Sequence, residues 1–158
     1  MTITQIVLTA LLTVFTGTVV FVLGQIVLIL FIERVRFQAR TVEAIAEAIV
    51  NYAREYTNPV VTGTPVTPES LERLRIASEN LRALSASLRA SAQTLRCYRL
   101  FQSIKLVLPR KAVIDASSSL MALSNLVPPN THEQMLEAVR LRKEIEHFLA
   151  IDIPRKKD

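Results

Sequence analysis

Arg75, Arg82, Arg89 and Arg96 recur every seven residues. On a helix that interval returns to nearly the same side, so the four guanidinium groups share one face, and Arg99 stands close by. Between Asn80 and Ile114 the basic residues are Arg82, Arg89, Arg96, Arg99, Lys105, Arg110 and Lys111, with no acid among them. A face of this kind could hold anionic lipid headgroups or an acidic protein partner. The plainer alternative is a solvated face paired with Glu69, Glu72, Glu79 or acids on other helices. Nucleic acid is disfavoured, because neither a groove-reading motif nor an aromatic stacking platform accompanies the arginines.

Catalytic and metal readings are poorer. Glu144-Ile-Glu-His147 matches the Glu-x-x-His unit of di-iron bundles, but that site needs a second such unit and two more glutamates. His132-Glu133 lacks the second histidine of a zinc protease helix. Ser117, Ser118 and Ser119 have Asp115 nearby but no nucleophile elbow, and read better as small residues in a packed helix. Cys97, the single cysteine, has Arg96 and Arg99 to lower its pKa but no histidine partner. Three scattered glycines cannot form a phosphate loop. No catalytic residue, metal site or cofactor is expected, and the chain reads as a non-enzyme.

What positions these side chains begins with a membrane span. From Met1 to Ile32 there is no Asp, Glu, Lys, Arg, His or Pro. About 20 apolar residues in a helix cross the hydrocarbon layer, and soluble helices rarely run so far without a polar face. A cleaved signal peptide is the nearest competitor, but it would have a basic start, a shorter apolar run and a small-x-small cleavage site. The span is therefore expected to be an uncleaved anchor in the cell membrane. Arg34, Arg36 and Arg40 should hold its C-terminal side in the cytoplasm, leaving the N-terminus outside. Within the span, Thr13-x-x-x-Gly17 is a small-x-x-x-small pair; with Gly24 and Gln25 it offers a face for self-association into a homo-oligomer. If several copies met, Gln25 and the threonines would line a polar path, which is the basis of a pore reading.

Beyond the span, Leu, Ala, Arg, Glu and Ser dominate, a helix-forming composition. The net charge of +5 lies wholly outside the apolar stretch. With one cysteine an internal disulfide is impossible, which suits a reducing compartment. No Gly or Pro falls between Gln25 and Asn58, so the span should run on as a helix to about Tyr56 and stop at Asn58-Pro59. Val35, Val42, Ile45, Ile49, Tyr52 and Tyr56 take the a and d positions of a coiled-coil heptad, and the same register runs back through Phe31, Leu28, Gly24, Phe21 and Gly17.

Thr67 caps a second helix, with Pro68 at its first position, expected to reach about Gln102. Its stripe is Leu74, Ala77, Leu81, Leu84, Leu88, Ser91, Leu95 and Tyr98. Ile104 to Leu108 reads as a packed apolar elbow. A third helix, about 110–126, carries Val113, Ala116, Leu120, Leu123 and Val127 on one side. Pro128-Pro129 ends it, and Thr131 to Gln134 forms a capping box for a last helix that buries Met135, Val139, Ile145, Phe148 and Leu149.

The steps Tyr98-Arg-Leu-Phe101, Leu108-Pro109 and Leu123-Ser-Asn125 give residues 71–151 a resemblance. They are similar to a recurring type of uncharacterised, single-pass, bacterial membrane-anchored helical protein. The resemblance implies a helical domain beside a membrane and carries over no site.

The expected architecture is all-α: a transmembrane helix (1–32), a helical stalk packing on the bundle (33–57), a loop (58–67), a cytoplasmic helical bundle (68–151) and a basic tail (152–158). The leading function is a membrane-anchored interaction or scaffolding protein with an unidentified protein partner. The alternatives are an oligomeric pore-forming or membrane-perturbing effector, and a module whose Arg face binds anionic lipid.

Overall fold

The computed structural model describes residues 3–58, 67–95 and 98–151. Arg96, Cys97, the tail 152–158 and most of the 58–67 loop lie outside the described residues. All regular structure within them is helical: α1 (Ile3–Val27), a wide π turn (Leu28–Ile32), α2 (Glu33–Asn51), α3 (Ala53–Thr57), α4 (Pro68–Thr94), α5 (Tyr98–Ser103), α6 (Arg110–Asn125) and α7 (His132–Phe148).

From Ile3 to Asn51 the backbone stays helical for 49 residues, a helix long and apolar enough to span a membrane. At ~1.5 Å per residue it is ~74 Å long. No α1 side chain is buried by any other part of the chain. Three of its threonines bond within the helix: the hydroxyls of Thr9, Thr13 and Thr18 donate to the carbonyls of Gln5, Thr9 and Val14 at 2.8, 2.8 and 2.9 Å. With those three hydroxyls spent locally and no charged residue along it, the helix presents mainly apolar surface on all sides.

The join between α1 and α2 is not a plain α-helix. The Glu33 N–H bonds to the Leu28 carbonyl five residues back, one residue wider than an α turn. The additional residue advances everything after it by about one step, ~100°. The heptad seam of α2 therefore does not pass in register into Phe31, Leu28, Gly24, Phe21 and Gly17, as the sequence spacing had suggested.

Four long helices then pack up, down, up and down. Side-chain bonds fix their directions. Asn80 donates to the Tyr52 hydroxyl at 2.6 Å and Gln38 Nε2 to that of Tyr98 at 3.1 Å, so α4 returns along α2. Ser78 Oγ reaches the Ser124 carbonyl at 2.9 Å and Ser85 Oγ that of Ser117 at 2.7 Å, so α6 runs against α4. Those short serines, with Ala77 and Ala116 buried beside them, let α4 and α6 approach closely. α7 lies on α6, and α3 folds against α7. Ile45, Ile49, Tyr56, Leu81, Leu88, Val113, Leu120, Leu123 and Ile145 are wholly enclosed in one core. The stalk thus supplies part of that core, through Ile45 and Ile49.

Two helices end earlier than their periodicity implies. α2 stops at Asn51, where Tyr52 leaves helical geometry (φ −97°, ψ 13°), rather than running to Tyr56. The bend turns the Tyr56 ring into the core, and its hydroxyl donates to the Ile49 carbonyl at 2.6 Å. α4 stops at Thr94 because Leu95 is extended (φ −76°, ψ 108°), and the chain restarts as α5 instead of continuing to Gln102. Both Leu95 and Tyr98 are thereby buried.

The caps hold. Thr67 Oγ1 accepts from the Ser70 N–H at 3.3 Å ahead of Pro68, and Thr131 Oγ1 accepts from the Gln134 N–H at 3.2 Å. The Gln134 side chain, however, accepts from Asn130 N–H at 2.7 Å, one residue before the position a capping box uses. On α7 the buried line is Ala138, Leu141, Ile145 and the following Leu149. Met135, Val139 and Phe148, expected on the buried side, are only half-buried and flank that line.

Candidate functional site

Several of the residues weighed for chemistry have structural partners. Glu144 accepts from Arg140 Nε at 3.1 Å with one oxygen and from Ser119 Oγ at 3.3 Å with the other. His147 is exposed beside the Phe148 ring, and His132 is exposed at the start of α7. Ser117 and Ser118 donate to the Ile114 carbonyl at 2.9 and 3.1 Å, the usual local outlet for a mid-helix hydroxyl. Among the described residues, no group of three or more His, Cys, Asp or Glu side chains is placed to hold a metal ion.

Of the arginine stripe, Arg75, Arg82 and Arg89 lie on the outer face of α4 and Arg96 is outside the described residues; the three differ. Arg75 is clamped: Nε and Nη2 donate to Glu72 at 2.9 and 2.6 Å, and Nη1 donates to Glu79 at 2.7 Å. The Arg75 guanidinium in turn holds the Glu72 carboxyl below the usual carboxylate range. Arg82 spends one donor on Asn125 Oδ1 at 3.1 Å. Arg89 and Arg99 are exposed, and no carboxylate among the described residues is within ion-pairing distance of either. From Arg75 to Arg89 the stripe descends ~21 Å along the bundle towards α1. Free positive charge is therefore concentrated at the end near the span.

That near end is basic and partly apolar. It gathers the start of α2, Leu95, residues 98–111 and the end of α7. Their meeting point is a cleft of about 260 Å³ lined by Val35, Gln38, Val42, Leu106, Val107 and Leu149, among others. Arg34, Arg36, Arg40, Arg99, Lys105, Arg110 and Lys111 are all exposed there, with Glu33 the one acid in residues 33–40 and 98–111. The far end holds Glu55, Glu69, Glu72, Glu79, Glu133 and Glu137.

Spacing alone carries no sign of what ties the near end together. Phe31, in the wide turn, meets Phe101 of α5 with ring centroids 5.6 Å apart. Gln38 donates to the Tyr98 hydroxyl, which donates to the Leu108 carbonyl at 2.6 Å. Burial pushes the Tyr98 hydroxyl pKa up, keeping the donor protonated. Gln38 Oε1, equally enclosed, has no hydrogen-bond partner among the described residues. Gln38 falls on the d position between Val35 and Val42 but is polar, and Tyr98 ends the α4 stripe, so a stripe of apolar residues offered no reason to join them. The elbow differs from expectation as well. Only Val107 of its apolar run is buried and Leu108 half-buried, while Ile104 and Leu106 face outward.

Comparison with known proteins adds no relative. No protein-family model, curated protein or solved structure matches this chain. The motifs behind the resemblance now have places: Tyr98-Arg-Leu-Phe101 opens α5, Leu108-Pro109 leads into α6, and Leu123-Ser-Asn125 is its last turn.

In α1, Thr13, Gly17 and Gly24 fall on one face, and a Cβ built on either glycine meets nothing within 4 Å. Gln25 stands one step, ~100°, round from Gly24 and so flanks that face.

Proposed function

We propose that this chain is a single-pass, membrane-anchored interaction or scaffolding protein without enzymatic activity. α1 crosses the cell membrane with its N-terminus outside, and the bundle lies in the cytoplasm. The observation that carries this reading is α1 itself: apolar on every side, covered by no other part of the chain, and joined without a break to a helix buried in the bundle core. In water that surface would be costly at ~25 cal/mol per Å²; in hydrocarbon it costs nothing. The exposed Arg34, Arg36 and Arg40 beyond it support the cytoplasmic placement.

On this reading α2 does two jobs, as stalk and as core helix, so the bundle stands rigidly at the bilayer. The α4 stripe, with Arg89 unpaired and Arg82 only lightly engaged, presents a face for an acidic protein partner. The Thr13, Gly17 and Gly24 face is open for a second copy, and association there is preferred to a pore because the hydroxyls of Thr9, Thr13 and Thr18 already bond within their own helix.

Membranes washed at alkaline pH test the anchor: the full chain should stay in the pellet. Recovery in the supernatant as a detergent-free monomer overturns it. Thr13→Leu with Gly17→Leu should disperse dimers seen by crosslinking in membranes, and liposomes carrying the purified chain should stay tight to dye. Leakage would favour the effector reading instead.

A further inference from the structure

Residues 98–108 carry a contradiction for a domain in water. Leu100, Ile104 and Leu106 are 59, 56 and 57% exposed, close together in one short stretch, and Arg99 and Lys105 alternate with them. The stretch is held in this form rather than trailing. Tyr98 is bonded to Gln38 and Leu108, the Leu106 N–H bonds to the Phe101 carbonyl at 2.9 Å, and Lys105 takes a left-handed backbone (φ 57°). Phe101 and Val107 turn inward and anchor the loop, so the apolar side chains outside are a second, outward-facing set.

We propose that this elbow is an interfacial membrane contact: Leu100, Ile104 and Leu106 enter the boundary between headgroups and acyl chains, while Arg99 and Lys105 engage anionic headgroups. The inference rests on the anchored reading and extends it from the span to the domain. Depth supports the choice of lipid as the occupant. Ile6 to Val27 is ~33 Å of helix at 1.5 Å per residue, matching a hydrocarbon core of ~30 Å. The wide turn, Leu28 to Ile32, then falls in the headgroup layer, and the Phe31–Phe101 contact brings α5 to that same level. Charge agrees, since the exposed basic residues of α2, α5 and the start of α6 lie at the same end of the bundle as the apolar set. An apolar tip within a basic rim is the composition that binds anionic bilayers in the plane of the interface.

The chain has no tryptophan, so single indoles report without background. Ile104→Trp and Leu106→Trp probe the elbow at two independent sites. Leu136→Trp, at an exposed position near the far end, serves as the control. The full chains are reconstituted into phosphatidylcholine vesicles with and without a third of phosphatidylserine, using lipids brominated just below the headgroup.

Both elbow indoles should emit to the blue of the Leu136→Trp control and be quenched by the brominated lipids; the control should not be quenched. Adding Arg99→Glu and Lys105→Glu should weaken that quenching in the phosphatidylserine vesicles. Three results overturn the proposal while the protein still floats with the vesicles. One is elbow emission like that of the control. Another is a blue shift without quenching, which means a protein covers the elbow. The third, overturning the headgroup half, is quenching indifferent to the charge reversals. Protein that fails to float with vesicles at all refutes the anchored reading instead.

Discussion

Replacing Ile45 by Ala asks whether the stalk belongs to the bundle or merely leads to it. Ile45 is fully enclosed, within a core drawn from α2, α4, α6 and α7. The substitution removes three carbon atoms, worth ~2.4 kcal/mol at ~0.8 kcal/mol each. If the site stays open, a cavity of up to about 80 Å³ adds as much as ~2 kcal/mol at ~24 cal/mol per Å³. The expected loss is therefore ~2.5 to ~4.5 kcal/mol, a large part of the ~5–15 kcal/mol that holds most domains together. For a domain of this size, ~3 kcal/mol lowers the midpoint by on the order of 10 °C. Thermal unfolding of the 33–158 fragment, followed by circular dichroism, reads it directly. Val50→Ala is the control, since Val50 lies on the same helix but is 53% exposed and should change stability by no more than ~0.5 kcal/mol. Equal midpoints for Ile45→Ala and Val50→Ala would refute the reasoning. In the same assay the shorter 67–158 fragment, stripped of Ile45, Ile49 and Tyr56, should melt without cooperativity.

Tyr98→Phe removes the hydroxyl that both accepts from Gln38 and caps the Leu108 carbonyl, and should cost ~1–3 kcal/mol in urea unfolding. Gln38→Met should lie within ~1 kcal/mol of wild type, because it loses one hydrogen bond but also removes the partnerless Oε1. Burial pushes the Tyr56 hydroxyl pKa up to about 12 from an ordinary 10.0. A group with a raised folded-state value contributes fully below its unfolded value, so stability should hold to about pH 10 and fall between about pH 10 and 12. Tyr56→Phe should flatten that part of a midpoint-versus-pH curve. Thr67→Ala, which strips the cap of α4, should cost ~0.5–2 kcal/mol by the same melts, and Thr67→Ser much less.

How much of this was legible in the chain depended on whether a signal was local. The α4 stripe was readable because Ala77, Leu81, Leu88 and Leu95 keep helical spacing and all are buried. Thr67-Pro68 and Thr131 announced their helix starts through chemistry that acts within one turn. The breaks at Tyr52 and Leu95 were hidden, since neither a glycine nor a proline marks them. They exist because Tyr56 and Tyr98 find carbonyl partners, Ile49 and Leu108, that only the folded chain brings near. The elbow misled for a related reason. A run of apolar residues says that surface should leave water, but not whether protein or another apolar phase takes it. Arg75 shows the same limit from the other side: its charge was visible in the spacing, while its neutralisation by Glu72 and Glu79 was one of several possibilities.

The wide turn at Leu28 to Ile32 also works as a phase setting. No break in the helix separates α1 from α2, so the azimuth of the bundle about the long helix axis is dictated by that of α1. Two chains joined through Gly17 and Gly24 would consequently have no freedom in which flanks of their bundles confront each other. Deleting one residue from the turn would swing each bundle by ~100° and present a different pair of surfaces, with every side chain in both domains unchanged.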